Sequence, residues 1–153
     1  KPEVQHWIAL RKFLADNNID ADMELPPRRQ VQLAGHVGAG AEVFPDDNGG
    51  TGLAYVEPAF PVPDDAVCVV VRGNSMYPRY FDGELIYYRS VPVPPEQALG
   101  RECVVRLVDG RMMVKIFRRG TKPGLFTLES WNAPAIEDQH VEWVAPVEFV
   151  ERR

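Results

Sequence analysis

The apolar positions of this chain come in short runs, separated by polar stretches rich in glycine, proline and acidic residues. The most apolar run, Ala66-Val67-Cys68-Val69-Val70-Val71, has the length and β-branched content of a buried strand. It leads into Gly73-Asn74-Ser75-Met76-Tyr77-Pro78, a turn opened by glycine and stiffened by proline. Phe81-Asp82-Gly83-Glu84 is a second turn, followed by the strand Leu85-Ile86-Tyr87-Tyr88. The proline-rich stretch Val91-Pro92-Val93-Pro94-Pro95 is predicted as loop. Cys103-Val104-Val105-Arg106-Leu107-Val108 and Met112-Met113-Val114-Lys115-Ile116-Phe117 flank Asp109-Gly110, the strongest hairpin signal in the chain. Further strands are predicted over residues 125–129, 141–144 and 147–150. Many short strands with closely spaced turns predict an all-β body, a barrel or a folded sandwich.

The first segment is different. Trp7, Leu10, Phe13 and Leu14 recur at helical spacing, and Pro2 suits a first helical turn. Residues 19–30 turn acidic and then run through Pro26-Pro27-Arg28-Arg29, the composition of an extended linker. Residues 1–30 are therefore read as a short helical arm and linker, and residues 31–153 as the β body. The chain opens on Lys rather than Met, as expected of a fragment whose amino-terminal domain lies upstream. The body starts with Val31-Gln32-Leu33-Ala34-Gly35-His36-Val37, which alternates like a strand before giving way to Gly38-Ala39-Gly40-Ala41-Glu42. A backbone with so little side-chain bulk either threads a narrow cleft or links two strands flexibly. Asp46-Asp47-Asn48-Gly49-Gly50 reads as a solvated loop.

With 153 residues, 45% of them hydrophobic and 25% charged, the chain suits one packed domain with a short arm. Its net charge of −5 argues against strong DNA binding by this chain itself, because phosphate contacts need clustered Lys and Arg. No apolar run is long enough to span a membrane, and no signal peptide is visible. Cys68 and Cys103 sit in apolar runs and read as reduced core residues of a cytoplasmic protein, not as a disulfide or metal pair. No metal site and no cofactor is expected.

Candidate chemistry centres on Ser75 and, forty positions on, Lys115. A serine hydroxyl needs a base to attack at neutral pH. His6, His36 and His140 lie in polar or loop-like contexts, without a carboxylate pattern to orient them. A lysine serves if burial disfavours its charged form. In a strand, Lys115 shares its face with Met113 and Phe117, so an inward face would desolvate the amine. The competing reading is a lysine that reaches out to solvent from a strand edge. Backbone N–H groups of Asn74 and Ser75 are the candidates for an oxyanion hole.

Gly73-Asn74-Ser75-Met76, the Asp82-Gly83-Glu84-Leu85 turn and Val114-Lys115 together resemble the Ser-Lys self-cleaving proteases of the LexA and phage-repressor family. Ala34-Gly35-His36-Val37-Gly38-Ala39-Gly40 resembles that family's cleavage segment, cut between Ala and Gly. The match covers about residues 31–151. It implies the twisted, mostly antiparallel β fold, and makes residues 31–153 a protease and dimerisation domain with its cleavage segment at 31–42. By the same resemblance Ser75 is the nucleophile, Lys115 the general base and Ala39–Gly40 the scissile bond. Implied partners are a second copy of the chain and the RecA filament on single-stranded DNA, which stimulates cleavage after DNA damage. Operator DNA would be bound only through an amino-terminal domain outside this chain. The implied role is the regulatory domain of a transcriptional repressor. A UmuD-like accessory subunit of a translesion polymerase and a non-cleaving dimerisation module are the alternatives. Ser75-Met76-Tyr77-Pro78 also resembles the nucleophile motif of signal peptidases, which work from a membrane anchor. In two respects the chain departs from the repressor pattern. Its first thirty residues contain no recognisable helix-turn-helix, and residues 41–52 form a longer glycine- and acid-rich stretch.

Overall fold

A computed structural model describes residues 30–45 and 54–152. The expected helical arm and linker, and the Asp46–Gly50 loop, lie outside the described residues. Among the described residues ten strands form one sheet: β1 (Val31–Val37), β2 (Glu42–Pro45), β3 (Ala54–Val56), β4 (Ala66–Val71), β5 (Leu85–Arg89), β6 (Glu102–Leu107), β7 (Met112–Arg119), β8 (Phe126–Glu129), β9 (Ile136–Gln139) and β10 (Val141–Glu151). They follow the spatial order β2-β1-β4-β5-β10-β6-β7-β8-β9, and an extra β2–β7 pairing brings the path back to its first strand. β3 adds to β1. Every pairing is antiparallel except β1 with β4. The mostly β, mostly antiparallel class read from the sequence is the class found. Closure also leaves few edge groups unpaired, which matters for a sheet of this size.

The Asp109-Gly110 signal does what its chemistry demands. Gly110 takes φ +97°, a left-handed conformation open to glycine at little cost, and the chain reverses between β6 and β7. Cys103, Val105 and Leu107 from β6 then meet Met113 and Phe117 from β7 and Leu128 from β8 in one buried cluster. A second cluster lies on the other side of the closed path. It joins Val37, Val43, Val69, Val71, Met76, Tyr80, Val104 and Val114.

Some expectations need correction. Residues 141–144 and 147–150 belong to one strand, β10, that runs through the buried Pro146. The proline sits where β10 stops pairing with β6 and begins pairing with β5, so its missing N–H falls at a change of partner, beside a register shift. Residues 91–95 do not stay loop to the end: Pro95 opens a one-turn helix, α1 (Pro95–Ala98), a first-turn position where its absent N–H costs nothing. β2, β3 and β9 were not predicted; each is three or four residues long and carries little apolar patterning. Cys68 and Cys103 are both buried and are not joined in a disulfide, and burial pushes the Cys103 thiol up to about 12.

Candidate active site

The Ser75 turn is built by its neighbours on both sides. β4 and β5 pair in register, and beyond them the Val71 N–H donates to the Glu84 carbonyl at 2.8 Å. Gly73 takes φ +78° and donates its N–H to Asp82 Oδ1 at 2.7 Å, so the second turn pins the first. Within the turn the Tyr77 N–H donates to the Asn74 carbonyl, and the Tyr80 N–H to that of Met76. The Tyr77–Pro78 peptide is cis. Met76 and Tyr80 point into the core, at 3% and 0% exposure, and hold the loop down. Ser75 itself is left half-buried at the surface. Gly73, Asn74, Tyr77, Phe81 and Asp82 line an open cavity of about 530 Å³ beside it.

The segment 31–45 is neither slack nor remote. β1 lies between β2 and β4, and β2 reaches across to β7, where Glu42 is opposite Met113 and Val43 opposite Met112. Between β1 and β2 the chain folds back through a 3-10 turn, Ala39–Ala41. The Ala41 N–H donates to the Gly38 carbonyl at 3.1 Å, and Gly40 takes φ +70° at the third position of the reversal. Ala39 and Gly40 are exposed at its tip. The Ser75 hydroxyl donates to the same Gly38 carbonyl at 2.7 Å. Of the two readings of this small-residue stretch, the flexible link is thus replaced by a turn seated on the serine loop.

Lys115 lies in β7, opposite Cys103 of β6, and is only 3% exposed. Its neighbours on the same strand face, Met113 and Phe117, are buried as well. The lysine that reaches out to solvent is therefore not the one found. Burial, with no compensating charge, holds the ammonium below the ordinary lysine range. Its Nζ donates to Ser130 Oγ at 2.6 Å. Ser75 and Lys115 are not hydrogen-bonded to each other. Met76, next to the serine, and Val114, whose side chain leaves β7 on the face opposite Lys115, belong to one core cluster with Val37 and Val43 of the segment.

Sequence reasoning missed two residues of this site, Ser130 and Asn132. Both fall in the link between β8 and β9, in Ser130-Trp131-Asn132-Ala133-Pro134, which carries no apolar pattern and no motif. The Asn132 side-chain amide donates to the carbonyls of Ser75 and Tyr77, at 2.8 and 2.7 Å. Trp131 Nε1 donates to Glu102 at 2.8 Å, and Glu102 also accepts from Arg79 and from the Tyr80 hydroxyl. Of the histidines among the described residues, His36 stacks on Phe44 with ring centroids 5.4 Å apart, and His140 is exposed; His6 lies outside them. Among the described residues the backbone N–H groups of Asn74 and Ser75 donate to no backbone acceptor. No group of acidic, histidine or cysteine side chains suited to a metal occurs among the described residues. No helix among them is long and apolar enough to cross a membrane.

The structure thus holds a half-buried serine with a small-residue turn hydrogen-bonded to it, and a buried lysine on a separate strand. No curated protein matches the chain closely enough to count as a relative. The family model described as Peptidase S24-like matches residues 32–149, most of the chain and nearly all of the β body. The chain belongs to the Peptidase S24-like family, and its β body is a serine autoprotease-type domain of the LexA, UmuD and phage-repressor kind.

Proposed function

We propose that this domain cleaves its own chain between Ala39 and Gly40, with Ser75 as nucleophile and Lys115 as general base. The observation that carries the proposal is the 2.7 Å hydrogen bond from the Ser75 hydroxyl to the Gly38 carbonyl, one peptide away from the bond to be cut. A substrate already docked gives the serine a high effective concentration, so modest activation suffices. In the contact seen, the hydroxyl proton points at a peptide oxygen, so attack needs a shift of one peptide to bring the Ala39 carbonyl carbon to Oγ. The proton of Ser75 then passes to the neutral Lys115 amine as the Oγ–C bond forms. The oxyanion is received by the N–H groups of Asn74 and Ser75. Collapse breaks the Ala39–Gly40 C–N bond, and the Lys115 ammonium protonates the departing Gly40 amine. Water, deprotonated by the regenerated Lys115 amine, hydrolyses the Ala39–Ser75 ester.

The biological setting is proposed on the family alone: the regulatory half of a repressor that dimerises and is inactivated by cleavage. The RecA filament on single-stranded DNA is the proposed stimulus, and operator DNA is bound through a separate amino-terminal domain. A UmuD-like polymerase subunit would use the same chemistry. The test is mass spectrometry of the purified chain incubated at pH values up to about 10, near the unperturbed lysine pKa. Fragments ending at Ala39 and starting at Gly40, absent from Ser75→Ala, are expected. A chain that stays whole at every pH, with and without RecA filament, would leave a dimerisation module as the function.

A further inference from the structure

The link between β8 and β9 does more than join two strands. Three consecutive side chains leave it toward three parts of the site: Ser130 to Lys115, Trp131 to Glu102, and Asn132 to the backbone of the serine turn. The pair at either end is notable because their targets lie on different elements, one in β7 and one in the β4–β5 loop. No direct hydrogen bond joins Ser75 to Lys115, so these two contacts form a short polar connection between them.

We infer that Ser130 and Asn132 are positioning residues, which act as a bracket that sets the Lys115 amine and the Ser75 turn relative to each other. The inference rests on the Ser-Lys reading given above. Each end has a separate physical task. A neutral amine has one lone pair and two N–H bonds. With Ser130 Oγ accepting one of those N–H bonds at 2.6 Å, the amine rotor is fixed and its lone pair can be directed toward the serine. Asn132 presents both hydrogens of one amide, one to Ser75 and one to Tyr77. That grips the turn on either side of Met76, whose side chain is already anchored at 3% exposure. The turn can then neither rotate nor lift without breaking a paired contact. Trp131, half exposed, lies between them with its ring 5.8 Å from the Arg79 guanidinium. Its bond to Glu102 fastens the middle of the bracket to the start of β6.

The two ends are separable by experiment, with Ser75→Ala as the background for titration so that the chain stays intact. The Lys115 Nζ titration is followed by NMR in that background, alone and combined with Ser130→Ala, Ser130→Thr or Asn132→Ala. A hydroxyl that accepts from the ammonium favours the charged form, so its removal should move the Lys115 midpoint to lower pH. Cys103, across from Lys115 on β6, is the titratable side chain at its register position and is unchanged in all variants. Ser130→Thr, which keeps the hydroxyl, should restore the midpoint. Asn132→Ala should leave it in place but shift the carbonyl carbon signals of Ser75 and Tyr77. In chains that retain Ser75, Asn132→Ala should lower the alkaline plateau of self-cleavage about 10- to 100-fold, the scale of a misplaced reacting group. Thermal unfolding of each variant separates local from global loss. A Lys115 midpoint unmoved by Ser130→Ala, or carbonyl signals unmoved by Asn132→Ala, overturns the bracket whether or not the chain cleaves. Absence of cleavage with both NMR effects present would instead overturn the Ser-Lys chemistry.

Discussion

Lys115 is the residue at which stability and chemistry conflict. An amine buried among Met113, Phe117 and the β6 strand has given up most of its hydration, and the 2.6 Å bond to Ser130 replaces only part of it. No carboxylate neutralises it, which is why its ionisation is displaced downward and not upward. In the proposed mechanism a base is thereby obtained at the expense of folding free energy. Lys115→Met, a substitution of similar length without the charge, should abolish self-cleavage. It should also raise the urea midpoint at neutral pH, because the charged form no longer has to be buried. A lower midpoint in Lys115→Met would show that the ammonium is better solvated than its 3% exposure implies. Ser75 and Lys115 were both legible in the sequence. Ser75 follows a glycine at a strand end, and Lys115 interrupts an apolar alternation. Ser130 and Asn132 were not, since a polar side chain in a polar loop carries no sign of where it points.

At the scale of elements, the decisive feature is how β1 and β2 hold the turn between them on the serine. Gly35 is central to it for a steric reason. A Cβ at that position would come within 2.3 Å of the Phe44 carbonyl oxygen, a backbone atom on β2 that cannot swing aside. Gly35→Ala should therefore force β1 and β2 apart and unseat the 38–41 turn while leaving the β4–β5 loop intact. The expected result is a large loss of self-cleavage. Amide exchange should rise in residues 31–45 and stay unchanged around Ser75. Equal protection of the segment in both proteins would refute the steric argument. The strand character of residues 31–37 could be read from alternation, but the return strand could not. Glu42-Val43-Phe44-Pro45 has one buried side chain, Val43, and acquires its conformation from pairing with β1 and β7. A similar limit applies to β10. Pro146 marked a break in the sequence, yet the strand continues because the proline falls where its partner changes.

For the whole molecule, the buried titratable groups sit in separate core clusters, and their effects on stability have opposite signs. Lys115 is held below its ordinary value, so the unfolded chain binds the proton more readily, and stability rises as pH climbs through the folded midpoint toward about 10.5. Cys103 is raised from 9.0 to about 12 and Tyr88 from 10.0 to about 12, both by burial. Their contribution is fully present below the unfolded values and is lost between about pH 9 and 12. Thermal midpoints should therefore increase modestly on the alkaline side of neutrality and fall steeply above about pH 9. Cys103→Ala should soften that fall, and a profile unchanged by it would remove the thiol from the account. By itself, the sequence determined the class of fold and the position of most strands, and it singled out a candidate serine, a candidate lysine and a small-residue segment that resembles a cleavage site. Those are local matters of periodicity, turn chemistry and residue type. Only the tertiary structure decided that the segment lies on the serine, that the lysine faces inward, and that a β8–β9 link with no pattern of its own touches both. Such contacts join residues far apart in the chain, and long-range pairing depends on the closed sheet as a whole, which no short window of residues encodes.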